Sequence, residues 1–168
     1  MKRATMAAAA KSAPLEVVPH LDLQRYLGTW YEIATIPQRF EKGCVGVKAE
    51  YSLRADGRIQ VVNTCLQGTL DGRFREARGK AWIVDKTTNA KLKVSFFWPF
   101  SGAYWIIALD PDYGWAVVGH PGRNYLWILS RSPHMDGALY RALLEPIADK
   151  GYDLTKIEKT LQPDGEGT

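Results

Sequence analysis

The chain has 168 residues, of which 46% are hydrophobic and 24% are charged. This length suits one domain with a sizeable core, and no stretch approaches the ~20 apolar residues that span a bilayer, which excludes an integral helical membrane protein. The formal net charge is +4, but lysines and arginines are scattered among acids without a basic run, which argues against a nucleic-acid partner.

The first 20 residues show no regular pattern. "MKRATMAAAAKSAP" places basic residues before four alanines, as in an export signal, but its apolar stretch is shorter than the ~7 to 15 residues expected. We therefore predict a flexible segment at 1–20, one domain at 21–162 and a loose tail at 163–168.

From residue 28 onward the dominant pattern is alternation. "VGVKAEYSL" (45–53) places apolar side chains on one face and Lys48, Glu50 and Ser52 on the other, as a half-buried strand requires. The turn at Asp56-Gly57 favours a tight hairpin, and "RIQVVNTC" (58–65) resumes the alternation. These segments predict an antiparallel pair of strands.

The hairpin register also concerns the two cysteines. If Leu53 faces Ile59, then Val47 lies opposite Cys65, and Cys44 is diagonally close to it. That separation falls near the ~4.4 to 6.8 Å between Cα atoms that a disulfide needs. A Cys44–Cys65 bridge is the favoured prediction, and two buried free thiols remain the alternative.

Further strands follow at short intervals, separated by turn-forming residues. Together with "TWYEIAT" (29–35) and the hairpin they make eight: "RGKAWIVD" (78–85), "AKLKVSFFW" (90–98), "GAYWIIALD" (102–110), "GWAVVGH" (114–120) and "NYLWILSR" (124–131). No helix intervenes to build a parallel sheet, so the chain is predicted to be all-β and antiparallel, as an up-and-down barrel or a sandwich.

After residue 131 the period changes to that of a helix. Apolar residues recur at helical spacing, namely Leu139, Leu143, Leu144 and Ile147, and Gly151 is a natural stop. We predict one amphipathic helix packed outside the sheet, with a bend or an early end near Pro146. Residues 154–162 are expected to add a short final strand.

Three motifs in this order resemble the lipocalin family. Gly28-Thr29-Trp30 resembles the G-x-W signature of the first lipocalin strand, "LDPDYGWAVV" (109–118) resembles the second motif, and Arg131 resembles the arginine of the third. The stretches "RYLGTWYEIA", "KVSFFWPFSGAY" and "NYLWILSR" are most similar to bacterial outer-membrane lipocalins, relatives of apolipoprotein D. The likeness covers about residues 21–157.

The resemblance implies an eight-stranded antiparallel up-and-down lipocalin barrel with one C-terminal α-helix outside. Gly28, Trp30 and Arg131 are expected at its closed end, with Asp112 and Tyr113 of the second motif. Since alternate strand ends return to the same side, the Arg131 guanidinium is expected to lie across the Trp30 indole. Such a contact contributes about 0.5 to 2 kcal/mol when desolvated.

An eight-stranded barrel encloses either packed side chains or one small ligand. Alanines facing aromatic side chains favour an apolar pocket over a filled core, and each buried methylene of an acyl chain contributes about 0.8 kcal/mol. The predicted ligand-binding residues are Ala34, Val47, Tyr51, Val61, Asn63, Ile83, Val94, Phe96, Trp98 and Trp127, with Val45, Ala49, Ala81, Leu92 and Leu129 also facing inward. The segment 102–110 is apolar on both faces, and there the resemblance implies that Tyr104 and Ile106 face the ligand and Trp105 faces outward.

Polar and charged side chains are predicted at both ends of this interior. Glu32 alternates with Trp30 and is expected to point inward near the floor, where Arg131 or a tyrosine would partner its carboxylate. The predicted open-end loops are 37–46, 66–78, 99–102 and 121–124. They carry cations suited to a carboxylate or phosphate, or to ordinary solvation: Arg39, Lys42, Arg73, Arg75 and Arg123.

The tip "WPF" (98–100) places exposed aromatic residues beside these cations. Such a patch suits either transient contact with a membrane surface or a homodimer, and the residues alone leave both open.

Two rival functions remain at this level. An enzyme would need a nucleophile, for which Cys65 is the candidate, but a bridge to Cys44 would disarm it. A carrier of haem, another tetrapyrrole, a retinoid or a carotenoid is the other rival, with His120 as an axial ligand for haem. His20, His120 and His134 have no metal-ligand spacing, so neither catalysis nor a resident cofactor or metal is predicted.

The resulting hypothesis is a protein that binds a fatty acid, lysophospholipid or similar acyl lipid, for transport or storage in the bacterial cell envelope. The transport role follows from the resemblance alone. The similar proteins are often exported lipoproteins anchored through an N-terminal cysteine, and no cysteine precedes Cys44 here. Periplasm or outer membrane is the expected location.

Overall fold

The computed structural model describes residues 13–38 and 41–164. Eight strands form one closed barrel, in which each strand pairs antiparallel with the next. The first strand pairs with both the second and the eighth, which closes the barrel and confirms the predicted architecture. The strands are β1 (Gly28–Thr35), β2 (Cys44–Leu53), β3 (Ile59–Gln67), β4 (Phe74–Ile83), β5 (Lys91–Phe97), β6 (Phe100–Leu109), β7 (Trp115–Gly119) and β8 (Leu126–Ser130).

Within residues 13–38 and 41–164, two α-helices accompany the barrel. The short helix α1 (Leu23–Tyr26) precedes β1, and its first amides are capped by the Asp22 carboxylate, which supplies acceptors to otherwise unpaired donors. Helix α2 (Gly137–Asp149) follows β8 and is capped in the same way by Asp136. Over the described parts of the chain, neither helix combines the length and apolar character required for crossing a membrane.

The chain then returns to β1 along its outer side. A 3-10 turn (Leu154–Lys156) leads into the two-residue strand β9 (Glu158–Lys159), which pairs antiparallel with β1 at Ala34 and Thr35. The predicted final strand over 154–162 is therefore present but much shorter than expected.

Apolar side chains form two separate clusters. The inner cluster fills the lower barrel around Trp30, Val61 and Ile106. The outer cluster lies between the barrel wall and α2, whose buried residues are Leu143 and Ile147. Strands between the two clusters are apolar on both faces because both faces are covered.

Helix α2 does not stop at Pro146. It continues to Asp149, three residues further, and Gly151 then follows with a positive φ of 94°. Pro146 is exposed, so water can hydrate the carbonyl that its missing amide would have paired with. The early end, one of the two alternatives predicted near Pro146, is thus wrong; the bend stays a prediction, and the predicted glycine stop is confirmed.

The β2–β3 hairpin has the predicted register near its turn. Leu53 pairs with Ile59 and Ala49 pairs with Asn63, and Gly57 takes a positive φ of 84°. Toward the open end the register shifts between Val45 and Lys48. Val45 consequently lies opposite Leu66, on the outer face, where the strict alternation had placed it inside.

One predicted loop is wrong. The predicted 66–78 loop is largely strand, because β3 extends to Gln67 and β4 begins at Phe74. In the N-terminal segment predicted to be flexible, Leu15 is buried and the Val18 amide donates to the Ile106 carbonyl at 3.0 Å, so these two residues pack against the barrel. Residues 1–12 and 165–168 lie outside the described parts of the chain.

Candidate ligand-binding site

The narrow end of the barrel is closed by Trp30 and Arg131. Trp30 is fully buried, and the guanidinium carbon of Arg131 lies 3.8 Å from the centroid of its indole ring. Gly28 permits this approach, because a Cβ there would lie 3.2 Å from Nη1 of Arg131. The guanidinium also donates to three backbone carbonyls, those of Arg25 at 2.7 Å, Thr29 at 3.0 Å and Tyr113 at 3.2 Å.

The β6–β7 turn completes this end. Tyr113 is buried, and its hydroxyl accepts the Asp22 amide at 2.9 Å. Asp112 is exposed on the same turn. The carboxylate that orders the turn is that of Asp110, which accepts the Gly114 amide at 3.0 Å; the sequence motif contains this residue, but its role depends on the turn geometry.

Most of the predicted lining residues face the interior. Asn63 lies on the inner face because it pairs with Ala49 and Ala77, and Val47 precedes Ala49 on the same face by alternation. The remaining inward-facing members belong to the inner cluster, namely Tyr51, Val61, Ile83, Val94, Phe96, Tyr104, Ile106 and Trp127. The predicted outward residue Trp105 packs with the outer cluster.

Ala34 does not line the interior. Strand β1 has a register shift between Glu32, which pairs with Leu129, and Ala34, which pairs with Ile128. One extra residue reverses the faces beyond that point. Ala34 therefore packs in the outer cluster with Ile128, beneath α2.

Trp98 does not line the interior either. It lies at the tip of the β5–β6 hairpin with 91% of its surface exposed, and the neighbouring Phe97 and Phe100 are 79% and 76% exposed. These three side chains, named here the aromatic tip, extend into solvent at the open end. The prediction that Trp98 faces inward is wrong because it extended the two-residue alternation of β5 beyond the end of that strand.

The upper interior is open to solvent. Val94, Phe96 and Trp127 face inward but are only half-buried, and Ala77 on the same face is exposed. On the neighbouring strand, Gly79 carries no side chain and the Phe96 ring packs over it: a Cβ there would lie 2.8 Å from this ring. The upper interior thus presents partly exposed apolar side chains above the packed floor.

The disulfide lies at the base of the open-end loops. Cys44 and Cys65 are bridged, with their Cα atoms 5.5 Å apart, which confirms the favoured prediction. Because of this bridge, the β1–β2 loop is attached to β3 where it enters the barrel rim.

The predicted mouth cations differ in their surroundings. Lys42 and Arg73 are exposed, and Arg75 donates to Gln67 at 2.8 Å. Arg39 lies outside the described residues. Arg123 instead connects three segments outside the mouth, since its guanidinium donates to the carbonyls of Ala13 at 2.6 Å, Pro121 at 2.7 Å and Lys150 at 3.0 Å.

Glu32 is nearly fully buried, with 3% of its surface exposed. The predicted partner of its carboxylate, Arg131 or a tyrosine, is wrong. The carboxylate instead contacts the hydroxyl of Thr160 and the carboxyl group of Glu41. Burial and, next, the negative charge of Glu41 together raise the pKa of Glu32 to about 8. Burial also raises the pKa of Glu41, which additionally contacts the inward-facing Trp127. The β1–β2 loop therefore reaches into the barrel.

We expect this pair to make stability fall with rising pH. The pKa of Glu32 is higher in the folded state than in the unfolded chain, so the folded state binds more protons between about pH 4.5 and pH 8. The free energy of unfolding should decrease across this range, with a slope of up to about 1.4 kcal/mol per pH unit. Urea denaturation at several pH values measures it.

Glu32→Gln keeps an acceptor for Thr160 and removes the charge, so the decline should flatten in this variant. Glu50→Gln, at an exposed carboxylate of β2, serves as the control and should behave as the wild type. Equal pH profiles for all three proteins would contradict the assignment.

The histidines do not form a metal site. Among residues 13–38 and 41–164, no three His, Cys, Asp or Glu side chains are grouped for metal binding. His120 accepts the Gly122 amide at Nδ1, 3.0 Å away, and its ring packs against Tyr125. His20 is exposed, and Nε2 of His134 contacts the Pro163 carbonyl at 2.7 Å.

A closed antiparallel barrel, plugged at one end and open into an apolar interior at the other, defines a class of carriers for small hydrophobic molecules. A family model described as a lipocalin-like domain matches residues 21–162. The chain belongs to the lipocalin family, whose members bind small hydrophobic ligands.

Individual relatives match most of the chain. It is 45% identical over 147 residues to the outer membrane lipoprotein Blc of Escherichia coli K12, covering 88% of this chain and 82% of that protein. It is 42% identical over 159 residues to temperature-induced lipocalin-1 of Arabidopsis thaliana, covering 89% and 84%. Apolipoprotein D of Macaca fascicularis is 36% identical over 154 residues, covering 87% and 79%.

Solved structures show the same fold at lower identity. Insecticyanin from the tobacco hornworm Manduca sexta superposes with a TM-score of 0.71 at 22% identity, covering 92% of this chain and 86% of that one. At this identity the likeness concerns the fold alone.

Proposed function

We propose that the barrel binds one acyl chain of a fatty acid or lysophospholipid, for lipid transport or storage in the bacterial cell envelope. The observation that supports this ligand class is the upper interior, where inward-facing Val94, Phe96 and Trp127 retain exposed surface. A chain lying against these residues buries apolar area on both sides, at about 0.8 kcal/mol per methylene.

The charges at the rim suit the head group. Lys42 and Arg73 are exposed on loops at the open end, where a carboxylate or phosphate would remain hydrated while its chain enters the barrel. Charge-assisted contacts at such a rim favour anionic head groups and faster association.

A displacement titration tests the ligand class. A fluorescent fatty acid is bound first and then displaced with palmitate or lysophosphatidylcholine, and we expect micromolar or tighter affinity. Ala49→Trp, which adds bulk on the inner face of β2, should weaken binding at least tenfold. Glu50→Trp changes the next residue, on the outer face, and should bind as the wild type.

Three results would contradict the proposal. The first is a folded wild-type protein that displaces no fluorescent lipid, and the second is equal weakening by both tryptophan variants. The third is tight binding of haemin, a retinoid or a carotenoid without lipid binding, which would favour the rival carrier function. Native mass spectrometry of protein purified from its source would identify the resident ligand.

We propose further that the protein is a carrier without chemistry of its own. The rival nucleophile Cys65 is bonded to Cys44, and a disulfide sulfur provides no thiolate for attack. The support for an envelope location is the similarity to relatives named outer membrane lipoproteins.

The aromatic tip supports a transient contact with a lipid surface in this function. Phe97, Trp98 and Phe100 are each more than three-quarters exposed, and exposed aromatic side chains partition into membrane interfaces. The protein should sediment together with anionic vesicles, and the Trp98→Ser variant should remain in the supernatant. Concentration-dependent dimerisation lost in Trp98→Ser, without vesicle binding, would favour the homodimer instead.

A further inference from the structure

Three tyrosine hydroxyls meet deep in the barrel. Tyr26 from α1, Tyr51 from β2 and Tyr104 from β6 form a chain in which the Tyr104 oxygen lies 2.6 Å from that of Tyr26 and 3.0 Å from that of Tyr51. The rings pack as well: Tyr26 lies 5.0 Å from Trp30 and 5.8 Å from Tyr51, between ring centroids. We name these residues the tyrosine triad.

The triad has more donors than it uses. Each hydroxyl carries one proton, and two contacts between three hydroxyls consume two of the three protons. Within residues 13–38 and 41–164, the three hydroxyl oxygens make no hydrogen bonds other than these two. One O–H donor therefore remains for a further acceptor.

All three hydroxyls keep their protons at neutral pH. Burial raises the pKa of Tyr51 to about 12, and burial raises the pKa values of Tyr26 and Tyr104 well above their usual value. The spare donor is thus present under physiological conditions. Leaving a hydroxyl without a partner in an apolar interior is unfavourable.

The triad borders the space that a ligand would enter. It lies directly above the floor formed by Trp30, and Tyr104, although deep in the barrel, retains exposed surface. Tyr104 belongs to the same inner cluster as Val94, Phe96 and Trp127. A chain that enters from the mouth along those residues would end at the hydroxyls.

A neutral oxygen fits this position better than a charged one. A carboxylate needs several donors when it leaves water, whereas the triad offers one. The guanidinium of Arg131, which lies against the Trp30 ring, already donates to three carbonyls.

We propose that the tyrosine triad is a polar subsite for a neutral hydrogen-bond acceptor at the far end of the bound chain, so that the preferred cargo is an acyl lipid oxygenated near its ω end. This inference rests on the proposed function. The carboxylate or phosphate stays at the mouth, and a keto oxygen at the other end, which accepts without bringing a proton of its own, accepts the spare proton.

The test compares hexadecanoic acid with 15-oxohexadecanoic acid. In a purely apolar barrel the added carbonyl would weaken binding at least tenfold, because its hydration is lost without compensation. In the wild-type protein we expect the keto acid to bind as tightly as hexadecanoic acid or more tightly. Isothermal titration calorimetry measures both dissociation constants.

The matched variant is Tyr26→Phe/Tyr51→Phe/Tyr104→Phe, which removes every hydroxyl of the triad. Single changes are uninformative, because a shorter chain of hydroxyls still has one proton to spare. We expect the triple variant to lose at least tenfold in affinity for the keto acid relative to hexadecanoic acid. Tyr140→Phe, on α2 outside the barrel, should leave the ratio unchanged.

The outcomes separate the two proposals. If neither acid binds the wild-type protein, the proposed function fails. If both bind and the keto acid is at least tenfold weaker in the wild type, the subsite is wrong while the proposed function stands. The same holds if the ratio is equal in the wild type and the triple variant. Because the wild-type comparison is decisive alone, the test does not depend on folding of the triple variant.

Discussion

Arg131→Ala is expected to lower the free energy of unfolding by about 3 kcal/mol. The change removes a guanidinium that lies 3.8 Å from the Trp30 ring centroid and donates to three backbone carbonyls. It leaves the carbonyls without their charged donor and the indole without its cover. Thermal and urea denaturation measure the loss, and the melting temperature should fall by about 6 to 12 °C.

The control for this change is Arg131→Lys. Lysine keeps the charge but lacks the planar fork, so its loss should be intermediate. Ligand affinity at the mouth should be unchanged at temperatures where the variants are folded, since Arg131 lies at the opposite end. An alanine variant with the melting temperature of the wild type would contradict the stabilising role of Arg131 at the closed end.

Removal of the disulfide is the second large effect. Cys44→Ala/Cys65→Ala should lower the free energy of unfolding by about 3 kcal/mol, because the bridge closes a segment with a sequence separation of 21 residues. Alanine is preferred to serine, since Cys65 is buried and a hydroxyl there would lack a partner. Urea denaturation under oxidising conditions measures the difference.

A reducing agent supplies the control for the bridge. Dithiothreitol should lower the stability of the wild type to about that of the double variant and leave the variant unaffected. If the wild type is insensitive to full reduction, with both thiols detected by mass, the bridge contributes little and the expectation is wrong. Lipid titration of the double variant would show whether ligand affinity changes when the β1–β2 loop is no longer bonded to β3.

Much of the barrel was predictable because its strands differ strongly between their two faces. In 45–53 the outward Lys48, Glu50 and Ser52 are hydrated, and the inward Ala49 and Tyr51 contribute to the inner cluster. Burial of one face makes period two the lowest-energy arrangement. The turn at Asp56-Gly57 was predictable for a different reason, since glycine readily takes the positive φ that a tight hairpin needs.

The bulges were not predictable in this way. Ala34 and Val45 continue the apolar pattern of their strands, yet a register shift in each strand turns them outward. An outward apolar residue costs nothing where α2 covers it, as at Ala34. Hydrophobic alternation therefore carries no signal for a bulge beneath a second layer.

The start of β4 was missed for the opposite reason. Residues 74–78 read "FREAR", and all five are exposed. They pair with β3 through their backbone, and a strand that reaches past the packed core needs no apolar face. Composition alone cannot distinguish such an extension from a loop.

The polar groups of the site depended on contacts between distant segments. Glu32 was recognised as an inward carboxylate, but its partners Glu41 and Thr160 come from a loop and from the C-terminal return. The tyrosine triad combines residues separated by 78 and 53 positions from Tyr104. Neither pairing has a local signal in the chain.

The sequence by itself determined the strand order, the turns, the three motifs and hence the family, since these follow from local backbone preferences and from the two faces of each strand. Only the tertiary structure decided which hydroxyls and carboxyls meet inside, and where the aromatic tip and Arg123 point. The physical reason is that closing the barrel sets distances between residues far apart in the chain. Small register shifts then decide which side chains face the interior.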